Sequence, residues 1–392
     1  MRSRLPVGAA VLSAALALAA ALSGCGGSTA KVASLPGTTV ATTAPSPVST
    51  AATTTAPART AVAAGFVPQS FTAVSEDDYW VLGTEPCDRG TCTAIARTTD
   101  GGGSFDAIAA PALGSAGGAG GEPTLRFADR SDGFAFVTGA GGAFYATHDG
   151  GSSWQRLQVG SLVAFATGGG DAYAVTARCS TAGCGGFRFE RSPISRDAWT
   201  SVPLPFAPDG SVLDLSAHGA SVWLLGTPAG DGTTQHDLLA RSTDGGRSFT
   251  VGAGPCYPGL GGGLAPSSAA VVWAVCPTGM LASVLRSTDG GATFASVHTP
   301  TELANSTLLA QASDTTALLV PGGAGSSPLL TTDAGLTWRA PAIPTGGTFW
   351  PWAGFTDSTT GAALVQPAAG GGAEELWRTT DGGSSWHDVR FG

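Results

Sequence analysis

The stretch "RTTDGGSSW", residues 378–386, is the last of a series of near-copies in this 392-residue chain. Five other copies share the pattern [ST]-x-D-x-G-x-[ST]-[FW]: "RTTDGGGSF" (97–105), "ATHDGGSSW" (146–154), "RSTDGGRSF" (241–249), "RSTDGGATF" (286–294) and "LTTDAGLTW" (330–338). A seventh string, "RSPISRDAW" (191–199), keeps the leading Arg-Ser and the closing Trp but lacks the Asp and the Gly. We call these strings the boxes.

The boxes recur every 44–50 residues, and each is embedded in the same order of short apolar runs. In the fourth unit these runs are "SVLDLSA", "GASVWLLG", "HDLLARS" and, after the box turn, "SFTVGAG". Four β-rich runs per unit, separated by Gly, Pro and Ser, are typical of a β-propeller. The sequence therefore predicts an all-β, seven-bladed β-propeller with four-stranded blades over residues 65–392.

Each box is expected to close the turn between the third and fourth strands of its blade. An Asp side chain accepts hydrogen bonds from nearby backbone amides, and Gly supplies a backbone conformation with positive φ. The closing Phe or Trp is expected to pack within the blade. The aspartates assigned this structural role are Asp100, Asp149, Asp244, Asp289, Asp333 and Asp381.

The string resembles the Asp-box, or bacterial neuraminidase repeat. That resemblance covers residues 66–392 and implies a propeller like those of sialidases, sortilin-type receptors, some glucan hydrolases and the photosystem II stability/assembly factor group. It also implies that the boxes lie away from any active site. The alternative role for the aspartates is calcium binding, but each box supplies one carboxylate, whereas an EF-hand-type loop spaces several oxygen ligands two residues apart.

Residues 1–24 and Cys25 resemble a bacterial lipoprotein signal peptide, with two arginines, an apolar run and Leu22-Ser23-Gly24 before the cysteine. The resemblance implies a lipid on Cys25 and a mature protein anchored at the outer face of the cytoplasmic membrane. An uncleaved anchor is the alternative, because 18 apolar residues nearly span a bilayer. Residues 25–64 are rich in Thr, Ala and Pro and are predicted to be a disordered tether with a reach of roughly 35 Å.

The formal charge of −9 argues against a nucleic-acid partner. With Cys25 assigned to lipid, six cysteines remain, which favours disulfides in an oxidising compartment. Cys87–Cys92 and Cys179–Cys184 each bracket a short candidate hairpin loop, and Cys256–Cys276 follows by elimination among 15 connectivities. The five histidines show no metal-ligand spacing, so we expect neither a metal nor a cofactor.

Propellers usually bind ligands on the face that carries the links between blades and the loops between second and third strands. Candidates for that face are Glu122, Arg126, Arg178, Arg188, Tyr257, Trp350 and Trp352. Glu122 follows "GSAGGAGG", which is either a solvated tip or a lid. The arginines that precede boxes are instead expected to serve the hairpins: Arg97, Arg191, Arg241, Arg286 and Arg378.

Trp350 and Trp352 flank Pro351, so on a regular strand both side chains are expected on one side of the sheet. There they would form a stacking platform for a sugar or an aromatic peptide side chain, or, as we favour, pack between blades. Blades one and seven are each predicted to contain four strands of their own, so we expect the ring to close by packing of the two blade edges. Residues 62–66 are available as an extra edge.

A sialidase-like site is poorly supported, because the nearest match to the expected Phe/Tyr-Arg-Ile-Pro motif is "FRFE" at 187–190. Tyr257 is the only candidate nucleophile, and it has no identifiable glutamate. We therefore expect a monomeric, non-catalytic binding or assembly module for a cell-envelope protein or glycan. The alternatives are a glycoside hydrolase and a photosystem-assembly-like chaperone, although one lysine (Lys31) in a Gly/Ala-rich chain is typical of high-GC, non-photosynthetic bacteria.

Overall fold

The computed structural model describes residues 61–88, 90–113, 121–180, 183–230, 236–300, 302–322, 327–343, 349–366 and 373–391. The predicted signal peptide, Cys25 and nearly all of the predicted tether lie outside these ranges. Every regular element within them is a β-strand, and none of them contains a helix able to cross a membrane.

The strands form seven antiparallel sheets, which are the seven blades of a propeller, and the predicted fold class is confirmed. Blades one to four each contain four strands in sequence order. Their bounds are β1 (Val67–Ala73), β2 (Tyr79–Cys87), β3 (Gly90–Thr98), β4 (Asp106–Ala109); β5 (Thr124–Phe127), β6 (Gly133–Phe136), β7 (Phe144–Thr147), β8 (Gln155–Arg156); β9 (Ser161–Gly168), β10 (Asp171–Ser180), β11 (Gly183–Pro193), β12 (Thr200–Pro203); β13 (Pro208–His218), β14 (Ser221–Pro228), β15 (Leu238–Ser242), β16 (Thr250–Ala253).

Blades five to seven follow the same order. Blade five gains a short extra strand that pairs with its third strand, and the fourth strand of blade six is reduced to a bridge between Leu330 and Arg339. The bounds are β17 (Gly263–Pro266), β18 (Val272–Pro277), β19 (Leu281–Ser287), β20 (Ala295–Ser296), β21 (Leu303–Ala304); β22 (Leu308–Gln311), β23 (Ala317–Val320), β24 (Leu329–Thr331); β25 (Phe349–Phe355), β26 (Gly361–Gln366), β27 (Glu375–Thr379), β28 (His387–Val389).

The box turns share one hydrogen-bond pattern, shown here for blade one. The Thr98 hydroxyl donates to Asp100 Oδ1 (2.7 Å) and accepts from the Gly102 amide (3.0 Å). Asp100 in turn accepts from the Ser104 amide (2.9 Å) and the Ser104 hydroxyl (2.7 Å). The same contacts recur at the other five box aspartates. The carboxylate of each of these aspartates is therefore hydrogen-bonded within its own turn.

Blade three shows how a turn closes without the aspartate. Ser192 occupies the position of the first box hydroxyl, and its Oγ donates to the Arg196 carbonyl (2.7 Å) and accepts from the Ala198 amide (2.9 Å). The closing Trp199 packs against Phe134 and Phe144 of blade two. One serine thus replaces the hydroxyl and carboxylate pair of the other boxes.

Neighbouring blades pack through apolar clusters, and the second strand of each blade is the most deeply buried. Side chains of one blade also reach the box turn of the next. Trp80 Nε1 donates to the Gly150 carbonyl (3.2 Å), and Trp223 Nε1 donates to the Gly290 carbonyl (2.9 Å). The boxes therefore join blades as well as closing hairpins.

The ring closes without strand exchange, since blades one and seven each keep their own four strands. The chain before β1 adds an edge, because Ala61 bridges Asp106 and the Ala63 amide donates to Glu85 Oε2 (3.2 Å). Phe66 packs on Phe391, with ring centroids 4.7 Å apart. The two ends of the propeller thus meet in one apolar cluster.

Three disulfides are present, and they are the pairs expected from the sequence: Cys87–Cys92, Cys179–Cys184 and Cys256–Cys276. The first two lie at the ends of the long hairpins of blades one and three, and the third joins the link before blade five to strand β18. Disulfides of this kind indicate an oxidising environment outside the cytoplasm.

Candidate functional site

The innermost strands of all seven blades surround a central cavity of about 580 Å³. Its lining includes Gly168–Gly170, in the turn between β9 and β10, and Ile194, in the turn after β11. In an antiparallel blade these turns lie on the same side as the boxes, which we call the box face. The opposite side, with the links between blades, is the link face. The central cavity therefore lies toward the box face, although the predicted binding site was on the link face.

On each innermost strand, one of the residues that line this cavity is paired with the same position of the second strand in every blade. We call these seven positions the channel ring. In blade order they are Thr72, Arg126, Ala166, Ser216, Ala265, Ala310 and Gly354. Six of the seven are small, and Arg126 is the exception.

Two innermost strands use short polar side chains to bind the next blade. In blade one, Ser70 and Thr72 accept hydrogen bonds from the backbone amides of Leu125 (3.0 Å) and Phe127 (2.9 Å). In blade four, Asp214 stands at the register position of Ser70 and accepts from the Leu264 amide (3.0 Å). These side chains hold the innermost strands together around the cavity.

Asp214 lies two residues before Ser216 of the channel ring, and its Oδ2 accepts a hydrogen bond from the Ser216 hydroxyl (3.1 Å). Burial raises its pKa to about 6, against the opposing effect of hydrogen bonds from the Leu264 amide and the Ser216 hydroxyl. No ion pair with it is formed by any residue that the structure describes. The group is therefore a structural acceptor that titrates near neutral pH.

Arg126 is solvent-exposed but enclosed by the walls of the channel. This burial among protein atoms lowers the pKa of its guanidinium. Within the described ranges it has no hydrogen-bond or ion-pair partner, and no Asp or Glu lines the cavity. Among the described residues, the fold thus places one unpaired cation in the central cavity.

The two predicted platform tryptophans lie on different sides of blade seven, so the expectation that they share one side is wrong. The register of β25 and β26 shifts between Phe349 and Trp352, which disrupts the alternation. Trp350 is 2% exposed and packs on Trp377 and Trp386 between blades six and seven. Trp352 is half-buried, packs toward Phe71 and lines the cavity. Inter-blade packing therefore describes Trp350, and only Trp352 faces the channel.

The other predicted site residues lie on the link face and do not converge. Glu122 is exposed before β5. Arg178 and Arg188 are exposed on the β10–β11 hairpin, where Arg188 Nε donates to the Ser201 hydroxyl. Tyr257 is 52% exposed and stacks on His236, with ring centroids 5.9 Å apart. None of these four residues lines the central cavity.

A second feature of the link face was not predicted. An apolar groove of about 430 Å³ runs across blades five to seven. Its walls are formed by Val275, Pro277, Leu308, Phe349, Trp350 and Pro351, and its polar side by 305–307. The sequence contains little indication of this groove, because each of these residues is also typical of an ordinary strand or of a link between blades.

Several large apolar side chains are exposed on the link face. We call them the link-face patch: Tyr257, Leu260, Met280, Leu281 and Phe349. Met280 is 87% exposed in the β18–β19 turn, and its carbonyl accepts from the amide of Asn305 in the groove (3.0 Å). Phe349 itself lines the groove. Two members of the link-face patch, Met280 and Phe349, therefore lie at the groove.

The described residues contain no cluster of three or more His, Cys, Asp or Glu side chains suited to a metal ion. The six box aspartates lie in six different blades, and hydrogen bonds from the later box hydroxyl lower the pKa of Asp100, Asp244 and Asp289. The geometry at these aspartates is that of closed turns.

Comparisons with known proteins agree with the propeller architecture. YCF48 from Cyanidioschyzon merolae has a TM-score of 0.50 and 16% identity, and the match covers 81% of this chain and 95% of that one. A puromycin-hydrolyzing peptidase of Mycobacterium tuberculosis has a TM-score of 0.53 and 12% identity over 83% of this chain and 53% of the peptidase. The GH74 enzyme of Niastella koreensis has a TM-score of 0.32 and 13% identity, covering 82% and 71%. No protein-family model and no curated protein matches the chain. At these identities, the similarity to YCF48 and to the peptidase shows the fold alone.

Proposed function

We propose that this protein is an extracytoplasmic binding or assembly module without catalysis of its own, and that its partner is a polypeptide that docks on the link face. The observation that carries the proposal is the link-face patch. Of the seven large apolar side chains exposed among the described residues, five belong to it. Soluble proteins rarely expose such a concentration of apolar surface unless it binds something.

The chemistry of the groove favours an extended apolar segment. Phe349 and the two prolines Pro277 and Pro351 present rigid apolar walls, while 305–307 supply hydroxyl, amide and backbone groups on the other side. Aromatic and proline-lined grooves of this kind accept extended peptides, whose side chains fill the apolar part while their backbone bonds to the polar part. The cell-envelope partner expected from the sequence is then a protein with an accessible apolar stretch.

A glycoside hydrolase is less well supported. Retaining and inverting mechanisms both use two carboxyl groups on either side of the scissile bond. The described residues that line the central cavity include neither Asp nor Glu. Tyr257, the candidate nucleophile, stacks on His236 at the link face and does not line that cavity.

Anchoring through Cys25 belongs to the same proposal. A lipid on that residue and a flexible tether over 25–64 would hold the propeller outside the membrane and leave its faces accessible, in agreement with the oxidised cysteines. Mass spectrometry of the mature N-terminus tests it. A diacylglyceryl-modified Cys25 is the expected result, and an intact Met1 would contradict it.

The docking proposal is tested with random peptides displayed on phage and selected on the purified protein. We expect apolar and aromatic peptides to be enriched, and a selected peptide to bind at least ten-fold more weakly to Met280→Ser/Phe349→Ser, as measured by fluorescence anisotropy. Leu336→Ser is the matched control, since Leu336 is 83% exposed in the box turn of blade six. Equal binding to the double variant, or turnover of a fluorogenic glycoside panel by the purified protein, would overturn the proposal.

A further inference from the structure

The residue at the channel ring in blade two differs in kind from its six counterparts. Ring residues in other blades have either no side-chain polar group or a short hydroxyl. Thr72 accepts a hydrogen bond from the next innermost strand, and Ser216 donates to Asp214 Oδ2 (3.1 Å). Arg126 makes no such contact within the described part of the chain. Its long side chain is therefore not required by the architecture that the seven positions share.

The Arg126 guanidinium also lacks a protein partner among the residues that the structure describes. A guanidinium that is partly removed from water, without a carboxylate or carbonyl to bind it, loses solvation without compensation. The surrounding lining is made of small, hydroxyl-bearing, aliphatic and aromatic residues and Gln311, with no acid among those that the structure describes. A ligand that carries a negative charge would supply the missing partner.

We propose that Arg126 binds the carboxylate of a small ligand in the central cavity, and that a flat apolar part of the same ligand packs on the aromatic side chains beside it. Phe165, Trp352 and Phe355 line the cavity and are only partly buried, so their rings remain available for contact. A volume of about 580 Å³ is within the ordinary range for small-molecule sites.

The single guanidinium favours a carboxylate over a phosphate. Arginine binds a carboxylate through two parallel hydrogen bonds, which satisfy both oxygens and the whole charge of the anion. A phosphate monoester would bring a second negative charge into a cavity whose described lining contains no further cation. The net charge of −9 on the chain adds to that cost.

The experiment uses calorimetric titration of the purified protein with acetate, benzoate, 3-phenylpropionate and indole-3-acetate, each paired with its neutral amide. We expect at least one aromatic acid to bind at least ten-fold more tightly than its amide and than acetate. Arg126→Thr places the residue of blade one at the same ring position and should abolish that preference. The matched control is Arg156→Thr, which removes the same charge from the exposed strand β8 and should leave binding unchanged.

Thermal unfolding without ligand separates a binding role from a structural one. Because Arg126 is exposed to the channel and has no protein partner within the described ranges, Arg126→Thr should leave the Tm unchanged, whereas replacing a structural arginine would lower it. The proposal is overturned if no acid binds better than its amide, if Arg126→Thr keeps the preference, or if that variant is less stable than the parent. The double variant Met280→Ser/Phe349→Ser should still bind the aromatic acid. Acid binding therefore tests the cavity, and peptide binding tests the link face, independently of each other.

Discussion

Arg378 stacks on Tyr79, with the guanidinium carbon 4.4 Å from the ring centroid, and this contact joins the last blade to the first. Arg378 is 2% exposed, and its Nη1 donates to the Gly101 carbonyl (3.3 Å) in the first box turn. The box arginines Arg97 and Arg286 stack instead on Trp80 and Trp273, which are their cross-strand neighbours in the same blade. Where the ring closes, the contact of Arg378 with Tyr79 contributes more to holding two blades together, because no peptide link connects blade seven to blade one.

Arg378→Ala should therefore destabilise the protein by about 1–3 kcal/mol, through loss of the cation–π contact and of a buried hydrogen bond. Urea unfolding followed by tryptophan fluorescence measures the change. Arg286→Ala is the control, since that arginine is more exposed and the chain itself links blades five and six. An equal loss in both variants would show that closure depends on other contacts.

Ala334 has φ of 62°, the one positive φ outside glycine among the described residues. The corresponding position in the other five boxes is glycine, with φ of 70–73°. Because a Cβ is unfavourable in this region, Ala334→Gly should stabilise the protein by about 0.5–1 kcal/mol. The reverse change in the neighbouring blade, Gly290→Ala, should destabilise it by a similar amount. Calorimetric melting of both variants checks the pair, and a lower Tm for Ala334→Gly would refute the argument.

Asp214 should make stability depend on pH, since its folded pKa of about 6 lies above its ordinary value of 3.8. As pH rises from about 4 to 6, the unfolded chain gives up this proton more readily than the folded one, so the folded state loses stability and does not regain it above pH 6. Asp214→Asn keeps an acceptor for the Leu264 amide and removes the charge.

We expect Asp214→Asn to match the parent protein at pH 4 and to be more stable by about 2 kcal/mol at pH 7.5. Denaturant unfolding at several pH values gives the difference directly, and Glu76→Gln, on an exposed turn, is the control. A difference that is the same at every pH would contradict the role assigned to burial.

The disulfide Cys256–Cys276 closes 20 residues and is almost fully buried. Cys256→Ala/Cys276→Ala should cost about 3 kcal/mol, because the unfolded chain regains the entropy of an open loop. The pair Cys87→Ala/Cys92→Ala opens a separation of five residues and should cost about 2 kcal/mol. Equal costs, measured by urea unfolding, would show that packing rather than loop closure dominates.

The sequence by itself determined the architecture of this protein. The order of the strands and the position of the box turn recur in seven units, which sets the number of blades. Each box carries its own hydrogen-bond partners within nine residues, so local chemistry was sufficient to predict the turns. The pairing of the three disulfides could be predicted for a related reason. Two of them close single hairpins, and the remaining two cysteines then form the third pair.

Only the tertiary structure decided where ligands or partners could bind. The bulge that separates Trp350 from Trp352 depends on the pairing of β25 with β26, which no local pattern reveals. The contrast between Arg126 and its small counterparts appears only when seven innermost strands are set side by side around one cavity. The link-face patch likewise joins residues from several loops. Local turns are encoded by neighbours in sequence, whereas a site is formed by residues that distant blades bring together.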